Sequence, residues 1–422
     1  MARVLLLLPT TTYKASDFLA AAEKLKLDIT VASEEASALE GLNPPGLLTL
    51  DFRDPSGCAQ KVAAFAREHP IAAVVGVDEQ TAVVATAIAE ELGLPHNPIS
   101  AVEAAADKAW MRELLFEAAV PSPRARLFQI AAGPGDAAAF VRFPCIVKPT
   151  FLSGSRGVIR ANDAAELAAA WKRIAAILSE PDVAARGKGA ARQLLVEDFV
   201  PGPEVAVEGI LREGKLRVLA IFDKPDPLDG PFFEETIYVT PSRQPAGAQE
   251  RIGQAANHAA LALGLREGPV HAELRWNERG PFVIEIAARS IGGLCSRALR
   301  FGMGLSLEEL VLRHALGQDA ASIERDTRAA GVMMIPIPRG GVFEGAQGLE
   351  EARSVPDIED IAISAHPGQT LVPLPEGSRY LGFIFSRART PERAEAALRE
   401  AHAKLRFEIV DGSRGAIYFA GA

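Results

Sequence analysis

The chain has 422 residues, 48% of them hydrophobic and 23% charged, with 45 Lys plus Arg against 54 Asp plus Glu for a net charge of −9. At roughly 150 residues per domain this predicts about three domains with real cores, excludes a disordered or fibrous chain, and disfavours nucleic acid or anionic membrane as partners. Only three cysteines occur, Cys58, Cys145 and Cys295, far apart in sequence, which excludes a disulfide framework or a cysteine zinc site and points to a reducing cytoplasm.

Residues 3–8 read as a buried parallel strand. The run is stopped at once by Pro9 and three threonines, too soon for a signal-peptide core or a membrane span, and no other apolar run approaches bilayer length. Ser16 is placed to cap a helix presenting Phe18, Leu19, Ala22 and Leu25 on one face. Strands at 29–32, 47–50 and 72–76 then alternate with helices near 56–67 and from Asp78, the latter turning Val83, Val84, Ile88 and Leu92 inward. Such alternation implies a parallel sheet covered on both faces. A proline-bearing linker at 95–98 closes a small doubly wound domain, residues 1–105.

From residue 107 the pattern changes. A helix with Trp110, Met111, Leu114, Leu115 and Ala118 leads to Pro121 and Pro123, strand 145–148, a Gly/Ser loop, helix 163–179 and a β-rich stretch 193–240. Helix 246–263, hairpin 269–286 and helices after 293 and 305 complete residues 106–325. Residues 326–422 open on strand 332–337 and alternate strand and helix to the end, an α+β domain. No internal repeat or low-complexity tract interrupts the chain.

Three stretches carry chemistry. Strand Cys145-Ile-Val-Lys148 delivers a lysine, followed by Ser153-Gly154-Ser155-Arg156-Gly157-Val158. Glycines let backbone N–H groups approach a polyphosphate while lysine neutralises it, although a plain hairpin turn would show the same residues. The loop is neither a Walker loop nor a dinucleotide fingerprint. Next, Leu194 to Glu204 runs an apolar strand into Glu197, Asp198, Phe199, Val200 and Glu204. Such an edge can offer backbone groups to adenine and a carboxylate to ribose, or be a solvated strand end.

The third stretch is a hairpin, His271-Ala-Glu273-Leu-Arg275 and Val283-Ile-Glu285-Ile-Ala287-Ala-Arg289. Alternate strand residues share a face, so His271, Glu273 and Arg275 lie together, as do Val283, Glu285, Ala287 and Arg289. A pairing sum of 558 sets Glu273 opposite Glu285 and His271 opposite Ala287 across a five-residue loop, whereas any odd sum separates the glutamates. Facing carboxylates repel, and magnesium, a hard cation taking carboxylates plus phosphates, supplies a reason to keep them together; an exposed sheet face is the plainer alternative. Arg289 continues this face into Ser290-Ile-Gly292-Gly293, where a guanidinium suits an acyl phosphate, or else a helix-start salt bridge.

In this order the pieces resemble the ATP-grasp superfamily, and within it the carboxylate–amine ligases, a group that includes bacterial L-amino-acid ligases and carnosine synthase. The matching positions are Lys108, Lys148, loop 153–158, Glu197, Glu204, Glu273, Glu285 and Arg289, and the stretches Asp223-Lys224-Pro225 and Gly230 to Thr236 resemble the group's substrate region. The resemblance implies a fold gripping ATP between two α+β subdomains, preceded by a Rossmann-like domain. It implies that Lys108 and Lys148 contact ATP phosphates under a cover formed by Ser153, Gly154, Ser155 and Gly157. Glu197, Phe199 and Val200 would line the adenine site and Glu204 would hold ribose. Glu273 and Glu285 would ligate magnesium (or manganese), and Arg289, with Lys148, would serve the reaction. Glu235, His271, Gly292 and Gly293 would meet the substrate, Glu235 receiving its amino group.

Two positions depart from the pattern. Ala287 replaces the usual asparagine, so a metal site would be weaker, or completed by water or His271. Tyr238 stands where related ligases often have histidine. The implied reaction is ATP-dependent amide formation between a small-molecule carboxylate and an amine, in the cytoplasm, with no nucleic-acid or membrane partner and with a homodimer compatible. A bicarbonate-using carboxylase of the same superfamily and a catalytically reduced ATP-binding protein are the rival expectations.

Overall fold

The first aliphatic run, Arg3–Leu7, is the second-from-edge strand of a four-stranded parallel sheet ordered 47–49, 28–33, 3–7, 73–76 in the computed structural model, which describes residues 2–37, 40–318 and 323–411. Both faces are buried, as a parallel sheet requires. Leu5 and Leu7 pack on helices Pro55–Ala66 and Glu79–Glu91, while Val4, Leu6 and Leu8 meet helix Ala15–Lys24. Ser16 does not cap that helix. Lys14 holds the cap position, with no side-chain capping bond, and Leu19 faces outward at 43% exposure, because the buried stripe is Phe18, Ala21 and Ala22.

Helix Ile99–Ala106 crosses the expected boundary at 105. Its buried face, Ala101, Val102, Ala104 and Ala105, joins the core beneath the large sheet, together with Met111 and Leu115 of helix Lys108–Glu117. A small antiparallel sheet follows, ordered 125–129, 193–198, 145–148, 159–161, with helix Ala164–Leu178 packed on it.

The large sheet has eight strands in the order 280–287, 268–277, 204–212, 215–224, 237–240, 329–335, 382–388, 358–363. It runs unbroken past residue 325, because strand Ile237–Thr240 pairs antiparallel with Ala329–Ile335. That strand starts three residues before the expected 332 and ends at 335. Strands 370–371, 341–347 and 406–410 form a fourth, three-stranded sheet, and residues 412–422 lie outside the described part. After Leu294 the chain makes only a short 3-10 turn, Cys295–Ala298, before helix Leu307–Ala315. No helix among the described residues is long and apolar enough to cross a membrane.

The hairpin of strands Gly268–Asn277 and Gly280–Ala287 shows how local rules conflict and are reconciled. His271 pairs with Ala287 and Glu273 with Glu285, a sum of 558 as expected. From Leu274 with Val283 onward the sum is 557, and the hairpin closes through Glu278 and Arg279 rather than five residues. A two-residue turn demands an odd sum, while facing glutamates demand an even one. A β-bulge at Ile284 supplies the missing residue. Val283 consequently falls into the core rather than beside Glu285, and Ile284 takes the cavity face instead.

Candidate active site

Between the four-stranded antiparallel sheet and the eight-stranded sheet lies a cavity of roughly 530 Å³, within the range of small-ligand sites. All four parts of the chain reach it: Lys148 and the glycine loop from the small sheet, Glu273 and Glu285 from the large one, Glu79 from the helix after the last N-terminal strand, Tyr380 from the C-terminal segment. Every site residue expected from sequence lines it except Gly157, whose N–H instead donates to the Pro375 carbonyl at 2.9 Å.

Glu273 and Glu285 sit side by side on the paired strands and line one cavity. Each meets an ammonium: Lys108 Nζ lies 3.2 Å from Glu285 Oε1, and Lys224 Nζ 3.1 Å from Glu273 Oε1. Lys108 is delivered by the first turn of its helix, which Asp107 caps through the Ala109 and Trp110 N–H groups, and it also donates to the Leu152 carbonyl at 2.9 Å. Two hard oxygen donors on neighbouring strands, already compensated by cations, are a donor set that magnesium fits.

Lys148 ends a strand buried along its whole length. Its ammonium donates to Glu197, whose other oxygen accepts from Arg112 Nε at 3.0 Å; all three side chains are buried. Burial pulls the Lys148 ammonium below the usual lysine range, against Glu197. Burial would raise Glu197, but Arg112 and Lys148 outweigh it and hold the carboxyl below its ordinary value. Glu197 thus lines the cavity as the shared anion of this triad. Arg112 also reaches the carbonyl of the bulge residue Ile284, at 2.6 Å. The guanidinium groups of Arg160 and Arg275 lie over the Phe199 ring, 4.5 and 4.9 Å from its centroid, and Val200 gives its carbonyl to Arg275 Nη1.

Lys224 is one of the site residues to which the sequence gives no role. Its buried ammonium bonds Glu204 at 2.8 Å, Glu235 and Glu273, three carboxylates whose oxygens lie within 4.8 Å of one another. Burial opposes the charge, yet the three acids hold Lys224 well above its ordinary value. Burial pushes Glu235 up to about 7, with Lys224 opposing and Glu273 adding to the rise, and Tyr238 donates to the same oxygen at 2.7 Å. Glu273 goes the other way: Lys224 and His271 overcome its burial. Glu204 is further held by Arg275 Nε at 3.0 Å. The apolar strand context of Asp223-Lys224 concealed this role, since only pairing of strand 215–224 with 204–212 brings Lys224 opposite Glu204.

His271 meets a carboxylate at each ring nitrogen. Nδ1 lies 3.1 Å from Glu208, a fully buried carboxylate that also accepts from the Ile291 N–H, and Nε2 lies 3.5 Å from Glu273. Burial would lower the imidazole, but hydrogen bonds to Glu208 and Glu273 raise it above the ordinary histidine value. Arg289 donates Nε to Glu79 at 2.9 Å, and burial fails to offset the pull of Glu79 and Glu285, which raise it further. Gly292 and Gly293 line the cavity beside it; Gly293 has φ +57°, and a Cβ there would meet Phe383 at 2.8 Å.

Comparison with known families agrees with this geometry. Residues 19–96 match the ATP-grasp N-terminal domain, 141–298 the ATP-grasp domain, and 333–410 the L-amino acid ligase C-terminal domain 2. The solved L-amino acid ligase from Bacillus licheniformis superposes with a TM-score of 0.82 at 27% identity, over 97% of this chain and 99% of that one. The chain is an ATP-grasp ligase of the carboxylate–amine group. Among curated relatives, the ligase is 31% identical to carnosine synthase 1 of Gallus gallus over 64% of its length, and 29% identical to alanine–anticapsin ligase of Bacillus subtilis (strain 168) over 53%. It spans 30% and 49% of those two proteins, half of their length or less.

Proposed function

We propose that this ligase joins the carboxylate of one amino acid, or a related small acid, to the amine of another, with ATP activating the carboxylate. The observation that carries the reading is the facing Glu273–Glu285 pair, tied to Lys108 in a cavity that the glycine loop and Arg289 also line. The named relatives, an L-amino acid ligase, a carnosine synthase and an alanine–anticapsin ligase, support amino-acid substrates.

A carboxylate is a poor electrophile. Transfer of the γ-phosphoryl group of ATP to its oxygen gives an acyl phosphate and ADP, and attack by the amine nitrogen on the acyl carbon expels phosphate. Lys108 and Lys148 would face the phosphates and Arg289 the acyl phosphate, so that catalysis is mainly positioning and charge neutralisation. Glu235 would hold the incoming ammonium. Glu273 and Glu285 would hold magnesium, which, when bound, neutralises phosphate charge. The loop 153–158 would keep out water that would otherwise hydrolyse the intermediate. The use of ATP and three buried free thiols support a cytoplasmic setting.

The test is phosphate release with magnesium and ATP over a matrix of amino-acid pairs, with mass spectrometry of the products. We expect amine-dependent release, and Glu285→Ala to lose at least about a hundredfold, the scale of a lost charge-stabilising contact. A Glu285→Ala protein as active as the parent would sink the metal assignment. ADP formation that needs bicarbonate and no amine would make the protein a carboxylase instead.

A further inference from the structure

Arg289, the arginine that would meet the acyl phosphate, is held from outside the ATP-grasp core. Glu79 opens the helix after the last N-terminal strand, and Oε2 accepts from Arg289 Nε at 2.9 Å across 210 residues of sequence. Arg289 Nη1 donates to the Ser290 carbonyl at 3.1 Å, so among the described residues only Nη2 of the guanidinium has no hydrogen bond. Beside this contact lies Lys14, 1% exposed. Its ammonium donates to the Val77 carbonyl at 2.9 Å, to the Ser290 carbonyl at 3.2 Å and to the Ser290 hydroxyl at 3.3 Å, with Asp78 at 3.9 Å. Burying an ammonium without a close carboxylate is costly. Here that cost is spent on joining the end of an N-terminal strand to the segment that carries Arg289, Gly292 and Gly293.

We infer that Glu79 is a positioning residue for Arg289: the N-terminal domain fixes the plane of the guanidinium through Glu79 and the backbone next to it through Lys14. An arginine on a loop has several rotamers of similar energy. A carboxylate fixed at a capped helix start selects one of them, and leaves Nη2 unbonded on a side chain that lines the cavity. The inference rests on the ligase reading, since it is the acyl phosphate that Arg289 would meet.

The test measures kcat, the KM for ATP, and ADP formed per amide, using the amino-acid pair that gives the highest amine-dependent phosphate release. Glu79→Gln keeps the size but loses the charge and should lower kcat by about tenfold to a hundredfold, the range for a misplaced catalytic group. The KM for ATP should stay within twofold, and more ADP should form per amide. Glu79→Asp should recover part of the loss, and Lys14→Met should show the same pattern as Glu79→Gln. Because Glu79 acts through Arg289, adding Glu79→Gln to Arg289→Lys should cost little beyond Arg289→Lys alone. An unchanged kcat, full additivity, or losses shared by kcat and the KM for ATP in proportion to lost thermal stability would overturn the inference. Failure of the ligase reading shows separately, in the parent, as ADP formation indifferent to every amine; the same variants are then compared on that ATP turnover, where an unchanged rate again rejects the role of Glu79.

Discussion

Glu197 illustrates what one carboxylate does when two cations converge on it. Arg112 and Lys148 are both buried beside it, so Glu197→Ala leaves two uncompensated charges and should cost about 3–5 kcal/mol, measured by urea unfolding. Its folded pKa lies below the ordinary value. The stability it contributes is therefore complete above the unfolded carboxyl pKa of about 4.3 and is lost as pH falls through the folded value. The stability gap between parent and Glu197→Gln should narrow over that acid window and stay constant near neutrality. A gap that widens on acidification would refute the sign. At this scale the sequence was legible wherever a motif fixes neighbours along one strand or across one hairpin, as for Lys148 and the Glu273–Glu285 pair. It was illegible for Lys224 and Arg112, whose partners come from other strands.

At the scale of elements, the glycine loop is latched by the C-terminal segment. Arg156 Nε donates to the Glu376 carbonyl at 2.6 Å, Gly157 N–H donates to the Pro375 carbonyl, and Arg173 grips the Glu376 carboxylate at 2.5 and 2.9 Å. Gly157 has φ +73°, and a Cβ would come within 2.9 Å of Pro149. Gly157→Ala should therefore strain the loop by about 1–3 kcal/mol and weaken its closure. Arg173→Ala lies further from the cavity and should leave the fold intact while raising ATP hydrolysis relative to amide formation. A parent-like ratio of ADP to amide in Arg173→Ala would show that the latch is idle. The glycines and lysine of this loop could be read from sequence. The latch could not, because more than 200 residues separate its halves.

For the whole molecule, the decisive feature is the eight-stranded sheet that joins the ATP-grasp half to the C-terminal part. Ala330, Val332, Met334, Phe383 and Phe385 share one core with Phe222, Tyr238 and the first N-terminal strand. A chain ending at residue 325 would expose the edge of strand Ile237–Thr240 and open that core. It should fail to give a soluble folded protein, while the full chain should unfold in one calorimetric transition spanning both parts. A soluble 1–325 chain with native-like circular dichroism would contradict this.

Sequence alone determined the alternation of elements, the N-terminal parallel sheet and the pair of facing glutamates. These follow from periodicity and from pairing within single strands or one hairpin, interactions that are short in sequence. Tertiary structure alone decided the bulge that lets a tight turn coexist with the glutamate pair, the acidic trio around Lys224, and the hold of Glu79 on Arg289. Each depends on side chains brought together by strand pairing and domain packing across distant parts of the chain, and no local pattern encodes which buried charge will meet which.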